Sequence, residues 1–377
     1  MINLHEWLLD RDWLNVNHGS FGATPLVVLA AQDSWRRRME AQPTEFMGRI
    51  LPGALRESAA ALGALIGAAG DDIAFVDNAT TGCNAVLAAL TLRPGDEVLV
   101  LSHVYGAVRN AVRHATDRAG ALLVEAKLPF PGTTEAGILA ALAAGLSPRT
   151  RLAVLDHITS PSALVLPVSR MAALCRAAGA GVLVDGAHGP GQVALDMGAT
   201  GADWYVGNCH KWLMAPKGCA FLWAAPERQD GLHPLTISHF YGQGFVAEFD
   251  WTGTRDPTAF LSVPDAIAFH DRLGGAALMA RNAALAAEAT ALLARRLGTE
   301  AGPSGALAGS MGVVRLPLTG EASPARALAL RERLLEARCD APVHALDGAL
   351  WLRLSAQAYN EIADYERLAQ VVARVLR

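Results

Sequence analysis

The chain contains 377 residues, of which 52% are hydrophobic and 18% charged, and its formal net charge is −4. Such a composition predicts a folded protein with a large core and excludes the disordered class. The weak negative charge gives no reason to expect a nucleic-acid or membrane-surface partner, and no run approaches the roughly 20 apolar residues of a membrane span.

Cysteine usage and the amino-terminal residues indicate where the protein works. Five cysteines are scattered along the chain without the paired spacing of a disulfide framework or a zinc site. The first residues lack the basic-then-apolar layout of a signal peptide. We therefore expect a cytoplasmic protein without a bound metal.

The middle of the chain alternates short β-rich runs with longer Ala-rich helical runs. The predicted strands are DIAFV, EVLVL, ALLVEA, RLAVLDHI, GVLVDGA, ADWYVG and CAFLWA. Apolar strands separated by helices are typical of an α/β fold with a mostly parallel, doubly wound sheet. Ligands of such sheets bind at the carboxyl ends of the strands, so the residues after each run are candidates for a site.

The two ends of the chain have different patterns. Residues 1–50 contain the turn-rich run LNVNHGSFGATP and two helical stretches, which predict an arm that packs with a small domain. Residues 259–377 combine long helical stretches with the runs GVVRLPL and WLRLS, which predict a smaller α+β domain. Residues 51–258 form the predicted large domain.

Polar residues follow the first predicted strands in turn. Asn78, Ala79 and Thr80 open a helix, where free N–H groups and hydroxyls can hold a phosphate, although an ordinary helix cap has the same composition. The run after EVLVL contains two rings that could stack on a planar ligand or lie in the core, and the run after RLAVLDHI is small and polar. The residues concerned are His103, Tyr105 and Ser160.

The residues at the ends of the later predicted strands indicate a cofactor site more strongly. Asp185 directly follows a buried strand, with His188 three residues on, and a buried carboxylate is costly unless it meets a positive partner. The next strand ends in Asn208, His210 and Lys211, one of only three lysines in the chain. A primary amine, an anion and phosphate donors are what pyridoxal phosphate requires, and guanidinium cannot replace the amine.

These motifs together resemble the fold-type I pyridoxal phosphate enzymes of the class V aminotransferase group. The resemblance rests on the order of Asn78-Ala79-Thr80, His103, Asp185-x-x-His188 and Asn208-x-His210-Lys211, and on the segments WTGTRDPT and WLRLSAQAYN. Within that group, LNVNHGSFGATP, HVYGAVRNAV, LDHITSPSALVLP and TGTRDPTAF are similar to the isopenicillin N epimerase-like branch. The resemblance implies a seven-stranded, mostly parallel sheet flanked by helices, with a smaller α+β domain at the carboxyl end.

The resemblance also implies a role for each cofactor-site residue. Lys211 would form the Schiff base, Asp185 would pair with the pyridine nitrogen, and His188 would approach the phenolic oxygen. His103 or Tyr105 would cover the ring, and we favour Tyr105. The implied phosphate site consists of Asn78, Ala79, Thr80, Asn208 and His210, completed by Thr252 or Thr254 of the partner subunit, so a homodimer with shared active sites is expected.

The implied substrate is a small amino acid. Arg353 would bind its α-carboxylate as a bidentate fork, with Asn17 and Ser160 nearby, although an arginine at the end of an edge strand is the simpler explanation for that residue alone. Lys211 would remove the Cα proton. Epimerisation, β-elimination from carbon–sulfur substrates and transamination then stay open.

Three further alternatives depend on single features. Epimerisation needs a second acid, for which His18, Tyr105 and His157 are candidates. A cysteine desulfurase needs a mobile thiol, but Cys339 lies where a helix passes into a strand, so we place that reaction behind epimerisation and elimination. A protein that binds the cofactor without catalysis is least favoured, because it would not need the lysine, the aspartate and the arginine together.

Overall fold

The computed structural model describes residues 4–377. Its strands are β1 Leu14–Asn15, β2 Ile73–Val76, β3 Glu97–Leu101, β4 Leu122–Ala126, β5 Thr150–Asp156, β6 Gly181–Asp185, β7 Trp204–Asn208, β8 Ala220–Ala224, β9 Met311–Arg315, β10 Cys339–Asp340, β11 Val343–Leu346 and β12 Ala349–Ser355. The seven predicted runs correspond to β2 to β8.

Helices separate most of these strands. They are α1 His18–Phe21, α2 Leu26–Ala41, α3 Pro43–Glu45, α4 Leu51–Ile66, α5 Ala79–Ala89, α6 Gly106–Ala119, α7 Glu135–Gly145, α8 Val168–Ala177, α9 Met197–Thr200, α10 Phe245–Asp250, α11 Thr258–Leu261, α12 Val263–Arg272, α13 Ala276–Leu297, α14 Pro324–Glu336 and α15 Ile362–Val375. None of the described helices is both long and apolar enough to cross a membrane.

The central sheet has seven strands in the order β2-β8-β7-β6-β5-β3-β4. The pairs from β7 to β4 are parallel, whereas β8 runs antiparallel to both of its neighbours. Helices cover both faces of the sheet, and alternate strand residues enter two separate apolar clusters. The predicted α/β class and the mostly parallel seven-stranded sheet are confirmed.

The two faces of the sheet determine where the strand-end side chains point. Leu152 and Val154 of β5 and Leu183 of β6 pack in the cluster beneath α5 and α6. Because side chains alternate along a strand, Asp156 and Asp185 continue this same face at the carboxyl ends. The sheet thus carries both acids toward the start of the helix that follows β2.

The amino-terminal arm is attached to the carboxyl-terminal part by strand pairing. β1 runs parallel to β10, with Leu14 opposite Cys339. The three-stranded sheet β11-β12-β9 packs with α13, α14 and α15 in a further apolar cluster. The domain limits after residues 50 and 258 stay a prediction.

Candidate active site

A cavity of about 360 Å³ lies at the carboxyl ends of the central strands. The arm, the start of α5 and the ends of β5, β6 and β7 contribute its walls. The lining residues are Ser20, Phe21, Asn78, Ala79, Thr80, Tyr105, Asp156, Ile158, Ser160, Asp185, Ala187, His188, Asn208, His210 and Lys211. Ten of the fifteen residues selected from the sequence therefore lie together in one place.

Lys211 lies in the turn that reverses the chain between β7 and β8. Its Nζ is 3.3 Å from Nε2 of His188. The pKa of the amine is lowered to about 8, by burial first and by the charge of Arg353 second, while the charge of Asp185 opposes the shift. A lysine in such surroundings loses its proton more readily than an exposed one.

Asp185 ends β6 with its side chain buried at 4% exposure. Its Oδ1 accepts a hydrogen bond from the backbone N–H of Ala187 at 3.0 Å. Burial raises the pKa of this carboxyl, while the Ala187 bond and the charge of Lys211 favour the ionised form. The charge of Asp185 is therefore only partly compensated, and a cation that bound next to this carboxylate would complete the compensation.

His188 is held in one tautomer by its neighbours. Trp212 Nε1 can only donate, and it donates to Nδ1 of His188 at 3.3 Å. Burial lowers the pKa of His188 well below its usual value, so the ring is neutral and carries its proton on Nε2. That N–H points toward Lys211 and is available to an anionic oxygen.

The start of α5 and the end of β7 are joined by side-chain hydrogen bonds. Asn208 Oδ1 accepts from the N–H of Ala79 at 2.9 Å, and Asn78 caps the helix by accepting from the N–H of Thr81 at 2.9 Å. His210 Nδ1 is 2.8 Å from the carbonyl oxygen of Cys219, and burial lowers the pKa of this ring to about 4. Nδ1 is thus the protonated nitrogen, because a carbonyl can only accept.

Close packing holds α5 against β7. A Cβ atom added at Gly82 would lie 2.6 Å from Cγ1 of Val206, closer than real carbon contacts allow. The helix therefore lies against the strand at a distance only glycine permits at this position. This packing brings the first turn of α5 next to Asn208.

Arg353 is buried just behind the cavity wall, at 2% exposure. Its Nη1 donates to the backbone oxygen of Ser160 at 2.7 Å and to its Oγ at 3.1 Å. Its Nη2 donates to Oδ1 of Asn17 at 3.0 Å and to Oγ of Ser20 at 2.7 Å. Burial lowers the pKa of the guanidinium to about 10, which leaves it charged at neutral pH. Ser20 and Ser160 line the cavity, whereas Arg353 and Asn17 do not.

Three other selected residues lie outside the cavity lining. His103 is buried, with Nδ1 2.8 Å from Oγ of Ser162. Thr252 and Thr254 belong to a loop whose next residue, Arg255, forms an ion pair with Asp77 at 3.1 Å. Of the two rings considered for stacking, only Tyr105 lines the cavity, and it is 46% exposed.

Five lining residues were missed in the sequence. Ser20, Phe21, Ile158 and Ala187 had no local signal, because nothing in their runs shows which turns meet. Asp156 did have one, since it ends the apolar run RLAVLD just as Asp185 ends GVLVD. Within residues 4–377, no cluster of His, Cys, Asp or Glu side chains is arranged to hold a metal ion.

The donor set of the cavity fits pyridoxal phosphate. It offers one buried amine at Lys211, a carboxylate at Asp185, a neutral N–H at His188, polar groups at the start of α5 and an exposed aromatic ring at Tyr105. Within residues 4–377, Oδ2 of the cavity residue Asp156 is buried and has no hydrogen-bond partner. The residues present would hold a planar, phosphorylated, cationic heterocycle.

Comparison with known proteins identifies the family. The model of the family described as aminotransferase class-V matches residues 24–368. The chain belongs to this family. Pyridoxal phosphate is the cofactor of class-V enzymes, and the predicted family and cofactor are confirmed.

Curated class-V relatives cover almost the whole chain. A putative L-cysteine desulfhydrase of Oryza sativa subsp. japonica is 37% identical over 96% of this chain and 83% of its own length. A probable chloroplastic L-cysteine desulfhydrase of Arabidopsis thaliana is 35% identical over 98% and 84%. Isopenicillin N epimerase of Streptomyces clavuligerus is 34% identical over 97% and 95%.

Solved structures share the class-V fold. The cystine C–S lyase C-DES, in complex with cysteine persulfide, aligns with a TM-score of 0.80 at 22% identity over 97% of both chains. A C-DES variant with glycine covalently linked to its pyridoxal phosphate aligns with a TM-score of 0.84 at 21% identity over 100% of this chain and 99% of its own. At these identities the likeness establishes the fold alone.

Proposed function

We propose that this protein is a pyridoxal phosphate-dependent carbon–sulfur lyase that acts on cysteine or an S-substituted cysteine. The observation that carries the proposal is the buried Lys211 amine, which lies beside His188 in a cavity lined by no cysteine among the described residues. Four relatives between 32% and 37% identical carry the name L-cysteine desulfhydrase, two of them as putative and one as probable, which supports the substrate class. The products from cysteine would be sulfide, pyruvate and ammonia.

Lys211, Asp185 and His188 would hold the reactive end of the cofactor. The Lys211 amine would attach it, the Asp185 carboxylate would face the pyridine nitrogen, and the Nε2–H of His188 would donate to the phenolic oxygen. The bound cofactor supplies an electron sink for the pair left when the substrate loses its Cα proton. The Tyr105 ring, exposed in the cavity, would cover one face of the heterocycle.

The phosphate would bind at the start of α5. Thr80, Asn208 and His210 line this end of the cavity, and the N-terminus of a helix favours an anion. Asn78 and Ala79 already bond to Thr81 and Asn208, so their contribution is to fix the first turn of the helix.

Lys211 would also move the proton. Its lowered pKa, about 8, makes the neutral amine accessible near physiological pH, and a neutral amine is the form that accepts a proton. Removal of the Cα proton and departure of the β-sulfur as sulfide or thiolate then balance without any enzyme thiol. A protonated Lys211 could return its proton to the leaving sulfur.

Arg353 would bind the substrate's α-carboxylate through its forked donors. Ser20 and Ser160 line the cavity, and their hydroxyls accept hydrogen bonds from these donors. A carboxylate accepts more strongly than a hydroxyl, so it would replace the Ser20 or Ser160 hydroxyl at Arg353. Asn17 would keep the guanidinium in place from behind.

Epimerisation is the second candidate, favoured by one observation. Of the three acids suggested by the sequence, Tyr105 alone lines the cavity. His18 is bonded to the carbonyl oxygen of Lys211 at 3.0 Å, and His157 lies 2.8 Å from the hydroxyl of Tyr205. Tyr105 would return a proton to the face opposite Lys211.

The test is an assay of the cofactor-loaded protein with L-cysteine, S-substituted cysteines and amino acids without sulfur. The lyase proposal expects pyruvate and ammonia from the sulfur compounds alone. Loss of optical activity without pyruvate would replace it with the epimerase proposal. A protein that stays colourless after incubation with pyridoxal phosphate would contradict both.

We further propose a homodimer in which Thr252 or Thr254 of one subunit completes the phosphate site of the other. A mainly apolar cavity of about 570 Å³ lies beside this loop and is lined by Met47, Leu51, Phe240 and Trp251 among others, which is the type of surface a second copy would cover. Light scattering tests the dimer.

Cell fractionation tests the cytoplasmic location, and limited proteolysis tests the domain limits after residues 50 and 258.

A further inference from the structure

Two carboxylic acids lie side by side at the ends of neighbouring strands. Asp156 ends β5, Asp185 ends β6, and their Cα atoms are paired in register. Parallel strands lie about 4.8 Å apart, and paired residues point to the same face of the sheet. Both side chains line the cavity, and both are buried, at 2% and 4% exposure.

The two acids differ in their hydrogen bonds. Asp185 accepts from the N–H of Ala187 at 3.0 Å, which favours its ionised form. Backbone hydrogen bonds from Tyr105 and from its own N–H also favour the ionised form of Asp156, but among the described residues its Oδ2 is buried without any partner. An unpartnered buried oxygen is costly for a carboxylate and less so for a neutral acid, whose hydroxyl can turn toward an acceptor.

The charges around the pair are too few for two anions. Asp156 faces Arg109 of α6, but that guanidinium is already engaged with Glu125 and with the backbone oxygen of Ser102. Lys211 faces Asp185, and burial first, with the charge of Arg353 second, lowers the pKa of this amine to about 8. The other titratable neighbours are the buried groups Cys83 and Tyr205, whose pKa values are raised well above normal by burial first and by these carboxyls second. Burial and the charge of Asp185 likewise raise the pKa of Asp156.

We propose that Asp156 is a positioning residue of the cofactor site, one that holds a proton beside Asp185. The pair then carries a single negative charge, located on Asp185, the residue that would face the pyridine nitrogen. This inference rests on the proposed function for its purpose, but the proton itself is a property of the protein without cofactor. A neutral Asp156 would lack the like charge that opposes ionisation of Asp185, and its hydroxyl would be a donor beside that carboxylate.

The first test uses the protein without cofactor. Infrared difference spectra at pH 7 of the wild type against D156N isolate the carbonyl band of one protonated carboxylic acid, with D230N, an exposed aspartate, as the matched control. The proposal expects the band in the wild type and D230N and its loss in D156N. A wild type without this band would overturn it.

Unfolding in urea tests the protonation of Asp156 independently of the infrared spectra. An acid whose pKa is higher in the folded than in the unfolded state loses stabilisation as the pH rises above about 4, the unfolded value. The wild type and D230N should therefore lose stability between pH 5 and 8 relative to D156N. Parallel profiles for D156N and the wild type would contradict the proposal.

Cofactor binding separates the roles of the two acids. D156N mimics the neutral acid, so its dissociation constant for pyridoxal phosphate at pH 7 should stay within about threefold of the wild-type value. Its visible spectrum at pH 7 should superimpose on that of the wild type. D185N removes the charge and should bind about tenfold or more weakly. Equal weakening in both variants would mean that Asp156 is ionised and would refute the proposal. Failure of the wild type to bind pyridoxal phosphate would refute the proposed function instead and leave the infrared test in force.

Discussion

Nζ of Lys211 lies 3.3 Å from Nε2 of His188, the nitrogen that carries the proton of that neutral ring. The amine is therefore next to a donor rather than a cation, in a buried site that lowers its pKa to about 8. This arrangement lets one lysine act first as an attachment point and then as a base.

Replacing Lys211 should abolish turnover. Lys211→Ala removes both the attachment point and the base, and loss of a positioned base alone lowers rates about 10²- to 10⁴-fold. Lys217→Ala is the matched control, because Lys217 lies in the same turn, bonds to Thr24 at 3.4 Å and does not line the cavity. Borohydride reduction of the loaded protein followed by peptide mass analysis should find the label on Lys211; a label on Lys217 would contradict the assignment.

The lowered pKa of Lys211 predicts a pH dependence of stability without cofactor. Its pKa is about 8 in the folded state and about 10.4 unfolded, so between these values the unfolded state binds more protons and stability rises with pH. Lys211→Met should be more stable than the wild type near pH 7.5, by at most about 3 kcal/mol. Urea denaturation should show this advantage shrinking toward pH 10.4. A constant difference would mean that the amine has an ordinary pKa.

Arg353→Lys should raise KM more than it lowers kcat. Lysine keeps the charge but cannot form the fork that meets Ser160, Asn17 and Ser20 at once. Loss of a charge-assisted pair of about 1.5–3 kcal/mol corresponds to a fall of roughly 10- to 150-fold in kcat/KM. Ser20→Ala serves as the control, since it removes only a group that the substrate would displace. An unchanged KM in Arg353→Lys would exclude this arginine from carboxylate binding.

Cys339→Ala should retain activity within about twofold, because its thiol has no access to the cavity. Cys339 is fully buried in β10, and burial raises the pKa of the thiol to about 12, which suppresses the nucleophilic thiolate. The measurement is sulfide release by the loaded variant. Abolished turnover with intact cofactor absorbance would instead favour the desulfurase reaction.

Gly82→Ala tests the packing that positions the phosphate end. Alanine is the better helix former by up to about 1 kcal/mol, yet its Cβ would clash with Val206 at a cost of about 1–3 kcal/mol. We expect lower thermal stability and weaker cofactor binding. Val206→Ala in the same chain should restore part of both. A Gly82→Ala protein that binds the cofactor like the wild type would show that α5 can move without affecting the site.

The sequence could predict what depends on local patterns. Apolar runs located all seven strands of the central sheet, and the polar residues directly after them, such as Asp185 and Lys211, are the ones that meet in the cavity. A strand end can be recognised from the local sequence. The carboxyl ends of parallel strands lie at the same edge of the sheet for any conformation of the connecting loops.

The remainder depends on contacts between distant parts of the chain. Ser20 reaches the cavity because the arm docks through β1 and β10, and Asn17 bonds to Asp340 across 323 positions. No local sequence pattern predicts that the arm pairs with the carboxyl-terminal part of the chain. His103 shows the converse, since it follows β3 as predicted, but its ring bonds to Ser162 and does not line the cavity.

The reaction itself is tested most directly by the carbon product of isotopically labelled L-cysteine. Nuclear magnetic resonance of the loaded protein's reaction should show labelled pyruvate formed in a 1:1 ratio with sulfide, and the same result for Cys339→Ala. Labelled alanine would mean that sulfur was transferred to an enzyme thiol, and D-cysteine without sulfide would mean epimerisation. Either outcome would contradict the proposed carbon–sulfur lyase reaction.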